Sequence, residues 1–281
     1  MLAVVVALPA LLLGGVSTYL HLQQWSWQRP PLAEQFAGRP LPMERDLTLT
    51  SGRVLHVAEY GPDMGPVIVM LHGSPGGWSD FTMLMTQERL GTSARLVAVD
   101  RLGWGGSREG GIETSLVVQA AAIAELLATY PADRRVVLVG SSWGGAVAAR
   151  VAMDRPDLGD ALLLLGASVD PALHGDDHVL NALGSNPWIN WAIPEAYRHS
   201  STELLPIREQ LAAMQEQWGT IRCPVTMLYG ADDTNEPRAN ADLVVRALGS
   251  RVTVQIVPGS GHGIQWDKPE VVADAILALL T

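Results

Sequence analysis

The residues Gly140-Ser141-Ser142-Trp143-Gly144 read G-x-S-x-G, directly after the apolar run "VVLV" and directly before the Ala-rich stretch "AVAAR". A strand-to-helix turn this sharp leaves little room for Cβ atoms, which accounts for the flanking glycines. It lifts the Ser142 hydroxyl clear of the chain at a helix amino terminus, where the dipole favours developing negative charge. Ser141 is expected to point into the packing. A serine hydroxyl attacks well only when a base removes its proton. His262, in the Gly-rich "VPGSGHGIQWDKP" after the last apolar run, is the base candidate. Other histidines, among them His174, His178 and His199, are expected to serve surface or packing roles. An acid must then hold the imidazole in its useful tautomer and stabilise the imidazolium. "MLYGADDTNEP" offers Asp233, the preferred residue because it lies farther into the loop, and Asp232. Asp170, after another apolar run, is a third choice.

An attacked carbonyl develops an oxyanion, which needs backbone donors aimed at it. The Trp143 amide follows the nucleophile directly, and the Ser74 amide in "LHGSPGG" is the second donor expected. His72 is read as organising that loop, and Gly73, Gly76 and Gly77 as letting backbone approach a ligand closely. Arg101 is expected in an ion pair, with carboxylate binding as the alternative. Trp78, Trp104 and Trp188 are possible substrate-lining residues.

These residues must be positioned by a scaffold, and the hydropathy pattern supplies one. Strands at 45–50 and 53–59 form a hairpin turned by Ser51 and Gly52. Continuous apolar runs at 67–71, 95–99, 136–139, 161–165, 225–229 and 252–257 read as buried parallel strands. Helical patterns fall near 80–89, 113–129, 143–154, 236–248 and 269–280. Alternation of this kind predicts an α/β fold with a doubly wound, mostly parallel eight-stranded sheet. Residues 170–220 interrupt the alternation and are expected to form a small helical cap after strand six, with a helix-like run from Glu203 to Trp218. The hydrolase-like domain is expected over 43–281, preceded by a Pro-rich connector at 23–42.

Residues 1–22 carry no charged side chain. Such a stretch is expected to be a transmembrane anchor that associates the chain with a membrane, the alternative being an export signal.

The net charge of −10, with lysine nearly absent, argues against a nucleic-acid partner. One cysteine, Cys223, excludes an intramolecular disulfide and is read as a small buried residue. It and the scattered histidines suggest no metal site, and the chemistry outlined requires no cofactor.

Five segments in order, "HGSPGG", "DRLGWGGS", "GSSWGG", "GADD" and "GSGHG", resemble the α/β-hydrolase superfamily in its capped serine-hydrolase branch, over about 43–281. "HGSPGG" and "GSSWGG" are also similar to proline iminopeptidase-like members. The resemblance implies acyl transfer through Ser142, Asp233 and His262 on a small-molecule acyl substrate, expected to be apolar. A carboxylesterase is the favoured expectation. An amidase, aminopeptidase or carbon–carbon bond hydrolase would share the triad, and a non-catalytic binding member is the third class.

Overall fold

The structure is a computed structural model, and it describes residues 29–174 and 185–281 together with residues 15, 17, 18, 20 and 22. Eight strands form one sheet: β1 (Met43–Thr48), β2 (Val54–Tyr60), β3 (Val67–Leu71), β4 (Arg95–Val99), β5 (Val136–Ser141), β6 (Ala161–Leu165), β7 (Val225–Gly230) and β8 (Val252–Val257). Their order is β1-β2-β4-β3-β5-β6-β7-β8. β1 and β2 run antiparallel to their neighbours, and every other pairing is parallel. Past Thr48 the hairpin is closed by the Leu49 amide, which donates to the Arg53 carbonyl at 2.9 Å. Thr50 turns its amide and hydroxyl to the Glu125 carboxylate, at 2.8 and 2.7 Å.

Period-two alternation divides each buried strand between two cores. Val67, Val69 and Leu71 of β3 face the side covered by α1 (Leu116–Leu127) and α2 (Trp143–Asp154). Ile68 and Met70 face the side that includes Phe81, Ile264 and Ile276. Every residue of β3, β4 and β6 is buried. Strands covered on both faces read as continuous apolar runs.

The helical pattern at 80–89 forms short pieces, Trp78–Phe81, Thr82–Met85 and Glu88–Ser93, because Gln87 is extended at φ −69° and ψ 109°. Between β6 and β7 lie α3 (Glu195–Leu204) and α4 (Ile207–Met214), followed by a 3-10 turn over Gln215–Thr220. The single helix expected from Glu203 to Trp218 is therefore broken at Leu205–Pro206, where proline has no N–H for the preceding turn. Helices α5 (Asn240–Leu248) and α6 (Pro269–Ala278) follow β7 and β8. Part of the expected connector is packed onto the fold. Phe36 is buried against Tyr60, with ring centroids 5.4 Å apart.

The anchor expected over residues 1–22 is corrected by the structure: no helix among the described residues is long and apolar enough to cross a membrane. A hydrocarbon core of about 30 Å takes about 20 consecutive helical residues. Apart from the five named above, residues 1–22 lie outside the described residues, as does any export signal there.

Parallel strands deliver the loops after β3, β5, β6, β7 and β8 to one sheet edge, and two glycines let those loops close up. A Cβ on Gly144 would lie 2.2 Å from the Leu71 carbonyl oxygen and 2.4 Å from that of His72. One on Gly230 would lie 2.2 Å from the Gly261 oxygen. Both contacts are with backbone, so no rotamer change relieves them. Gly144→Ala is expected to lower the unfolding free energy by about 1–3 kcal/mol, measured by urea denaturation. Gly219→Ala, where nothing lies within 4 Å, should change it by less than about 0.5 kcal/mol. Equal stability of the two variants would mean that α2 does not approach β3 this closely.

Candidate active site

Ser142 joins β5 to α2 at φ 53° and ψ −123°, and among the described residues it alone combines a side chain with positive φ. Backbone in so sparsely populated a region costs about 1–3 kcal/mol and persists only when its surroundings hold it. Here they do. The Ser142 amide donates to the Leu165 carbonyl at 2.9 Å, and its own carbonyl accepts from the amides of Gly145 at 2.9 Å and Ser168 at 3.3 Å. The first N–H groups of α2 have no intrahelical acceptor, and that of Trp143 comes directly after the serine. Ser141 is buried, its hydroxyl directed at Gln265 Oε1 at 3.4 Å.

His262 Nδ1 and Asp233 Oδ2 lie 2.9 Å apart. The other Asp233 oxygen accepts from the amides of Asn235 and Glu236, each at 2.9 Å. With two amides on one oxygen, the other is left for the imidazole, which places the proton on Nδ1 and exposes Nε2 as the basic nitrogen. Asp232 points outward, and Asp170 caps the short turn after β6 by accepting from the Ala172 amide at 2.9 Å. Gly166, directly after Leu165, makes room for the pair. A Cβ there would lie 3.0 Å from Asp233 Oδ2 and 3.2 Å from His262 Nδ1. Ser142 is thus tied to Leu165, and Gly166 abuts both members of the His262–Asp233 pair. Burial lowers the His262 pKa, but the hydrogen bond and charge of Asp233, with the charge of Glu236, outweigh it and leave the imidazole above its ordinary 6.5.

The loop after β3 is organised from beneath. The Arg101 amide donates to His72 Nε2 at 3.0 Å, so that nitrogen carries no proton, and Nδ1–H donates to the Gly73 carbonyl at 2.7 Å. Burial first, then the Arg101 charge, holds His72 well below its ordinary pKa, a neutral imidazole suited to this double role. Asp100 ties the same loop to the "DRLGWGGS" turn, accepting from the amides of Trp78 and Gly106 at 2.7 Å each. Arg101 is fully buried and paired with Glu203 of α3, as the ion-pair expectation had it.

Ser142 and Ser74 share a cavity of about 60 Å³ with Ser168, His174, Leu204, Ile207 and Glu236. The sequence revealed no charged group for this pocket, yet Glu236 and His174 line it, with 3.7 Å between Oε2 and Nε2. Glu236 also accepts from the Ser168 hydroxyl, and from Asn240 Nδ2 at 2.9 Å. Burial raises its pKa, and His174, Ser168, His262 and Asn240 offset only part of that. Its position three residues after Asp233 was the available signal. None of the three tryptophans is among the described lining. Trp104 is buried with its indole N–H on Glu203 Oε2 at 3.2 Å, Trp188 is 86% exposed, and Trp78 packs beside the second core. His199 meets Trp104 edge-on, whereas His178 lies outside the described residues. Cys223 is buried, which raises its thiol pKa.

Fold and sequence together define the class: the chain belongs to the alpha/beta hydrolase family, which it matches over residues 68–275. It is 32% identical over 117 residues to the AB hydrolase superfamily protein YfhM of Bacillus subtilis (strain 168), a match spanning 41% of each chain. It is 25% identical over 255 residues to the 2-hydroxy-6-oxo-6-(2'-aminophenyl)hexa-2,4-dienoic acid hydrolase of Metapseudomonas resinovorans, covering 77% of this chain and 84% of that one. Among solved structures, an E-2-(acetamidomethylene)succinate hydrolase shares the fold at TM-score 0.67 and 21% identity, over 85% of this chain and 99% of that one.

The His262 environment has a direct test. Its imidazole, followed by NMR in labelled protein, should titrate with a midpoint above 6.5. Asp233→Asn should lower the midpoint most, since the remaining burial disfavours the cation, and Glu236→Gln should lower it less. A midpoint unmoved by Asp233→Asn would mean that the two side chains are uncoupled.

Proposed function

We propose that the chain is a serine hydrolase that cleaves a small carboxylic ester through an acyl-enzyme. The observation that carries this reading is the backbone of Ser142, a strained conformation kept at a helix amino terminus and tied to Leu165, whose neighbour Gly166 abuts the His262–Asp233 pair. In the first half-reaction His262 Nε2 takes the hydroxyl proton as Ser142 attacks the ester carbonyl. Asp233 stabilises the imidazolium, and the Trp143 and Ser74 amides receive the oxyanion. The tetrahedral adduct collapses as His262 passes its proton to the departing alcohol. Water, deprotonated by the same imidazole, then attacks the acyl-enzyme, and the acid leaves with Ser142 restored.

The cavity supports a short acyl group. Its volume is about 60 Å³. Leu204 and Ile207 give it apolar walls, while Ser168, His174 and Glu236 give it hydrogen-bonding ones. The acyl part favoured is therefore short and carries or tolerates a polar substituent, beside the apolar character expected from sequence. A second reading, carbon–carbon bond hydrolysis, is favoured by the match to the dienoic acid hydrolase along 84% of its length.

The full chain should be labelled by a fluorophosphonate, and Ser142→Ala should abolish labelling while leaving the fold intact by circular dichroism. On p-nitrophenyl esters, kcat/KM for acetate and butyrate should exceed that for octanoate by at least about tenfold, or about 1.4 kcal/mol. A labelled enzyme inert to all esters but active on a dienoic acid would favour the second reading. A folded, unlabelled chain would remove both.

A further inference from the structure

Arg101 and Glu203 are separated by 102 positions in the chain, and both side chains are fully buried. Arg101 comes from the turn after β4, and Glu203 from α3 in the insertion between β6 and β7. The guanidinium spends its donors on two kinds of partner. Nη1 and Nη2 hold the Glu203 carboxylate, at 2.5 and 3.1 Å, while Nε donates to the His72 carbonyl and Nη2 to the Gly73 carbonyl, each at 2.8 Å. The Gly73 carbonyl thus has two donors, Arg101 and the His72 ring at 2.7 Å. The Gly73–Ser74 peptide is trans. In a planar trans peptide the carbonyl and the following N–H point in opposite directions. Fixing the Gly73 oxygen toward Arg101 and His72 therefore turns the Ser74 N–H away from them. The same loop lies against the nucleophile, since a Cβ on Gly73 would be 3.1 Å from the Ser142 Cβ.

We propose that Glu203 is a positioning residue for the oxyanion site: held on α3, it orients Arg101, which pins the His72 and Gly73 carbonyls and so aims the Ser74 amide at the reacting carbonyl. The inference deepens the serine-hydrolase reading and rests on it. A guanidinium in its fork geometry reaches two carbonyls and a carboxylate at once, which a lysine ammonium on its flexible stem does not. The insertion thereby completes the catalytic loop as well as covering it. A second contact from α3, the Ser74 hydroxyl donating to the Ser200 hydroxyl at 3.1 Å, touches the side chain of residue 74 and leaves its amide free.

The test compares Glu203→Gln, Arg101→Lys and the double replacement Arg101→Met/Glu203→Met in the full chain. Replacing a buried ion pair by packed apolar side chains is often neutral for folding, so the double variant separates fold support from positioning. Each is assayed for p-nitrophenyl butyrate kinetics, for affinity toward a trifluoromethyl ketone that forms a tetrahedral serine adduct, and for thermal unfolding. Loss of an oxyanion donor costs about 100-fold or more in kcat. The double variant should therefore remain folded with kcat down about 100-fold, KM within threefold and ketone affinity reduced in parallel. The acid limb of its pH profile, set by His262, should stay where the parent has it. The two single variants should lie between it and the parent.

Any folded variant without the Arg101–Glu203 pair that keeps kcat and ketone affinity within threefold overturns the proposal. A rise in KM alone does the same by assigning the pair to substrate binding, and failure of all three variants to fold assigns it to the fold alone. A parent chain that neither labels nor turns over any ester overturns the hydrolase reading itself, and this proposal with it.

Discussion

Holding Ser142 at φ 53° and ψ −123° costs about 1–3 kcal/mol, and contacts elsewhere in the turn must offset it. They come from three directions: the Leu165 carbonyl at the end of β6, the Gly145 amide in the first turn of α2, and the Ser168 amide beyond β6. Each depends on close approach of backbone to backbone. Gly144 has no side chain because the Leu71 and His72 carbonyls occupy the space that a Cβ would need. Gly145 has none because Ala167 is on the other side, 2.4 Å from where its Cβ would be. The glycines thus let α2 sink between β3 and β6, and that depth brings the loops after both strands to the serine.

Charges around the turn are buried with different partners, and that divides their roles. Asp233 has two amides on one oxygen and an imidazole on the other. Glu236, three residues later, has an uncharged hydroxyl and an uncharged amide as its nearest partners, and burial raises its pKa. Two carboxyl groups in one loop thereby have different partners. The first orients His262, while the second faces the cavity. His262 feels the charge of both, which raises its pKa.

What the sequence makes legible here is what is determined locally. Continuous apolar runs identify the central strands β3, β4, β5 and β6, because a strand covered on both faces has no polar side to show. The glycine-rich loops reveal Ser142, Asp233 and His262 because each lies within a few residues of a strand end, where the local constraint is severe. The helix boundaries are less legible. Gln87 carries no breaking signal of its own, and Pro206 ends a periodic run that apolar spacing alone carries through to Trp218. The pairing of Arg101 with Glu203 is invisible from either residue, because a buried ion pair across 102 positions leaves no local trace.

On the proposed serine-hydrolase reading, the insertion bears on catalysis and on specificity through neighbouring residues of one helix. Glu203 and Leu204 are adjacent in α3, and successive side chains on a helix of 3.6 residues per turn diverge by about 100°. One turns to Arg101 and the oxyanion loop, and the other turns to the cavity beside Ser142. An acyl group that displaced α3 to gain room would take Glu203 from Arg101 and leave a guanidinium buried without its counter-charge, a costly arrangement. Room for a longer acyl chain therefore has to come from smaller side chains at Leu204 and Ile207, with the helix axis left where it is. The size of the pocket and the geometry of the oxyanion loop are in this way fixed by the same helix but altered by different residues, so substrate range can change without disturbing the loop beneath the reacting carbonyl.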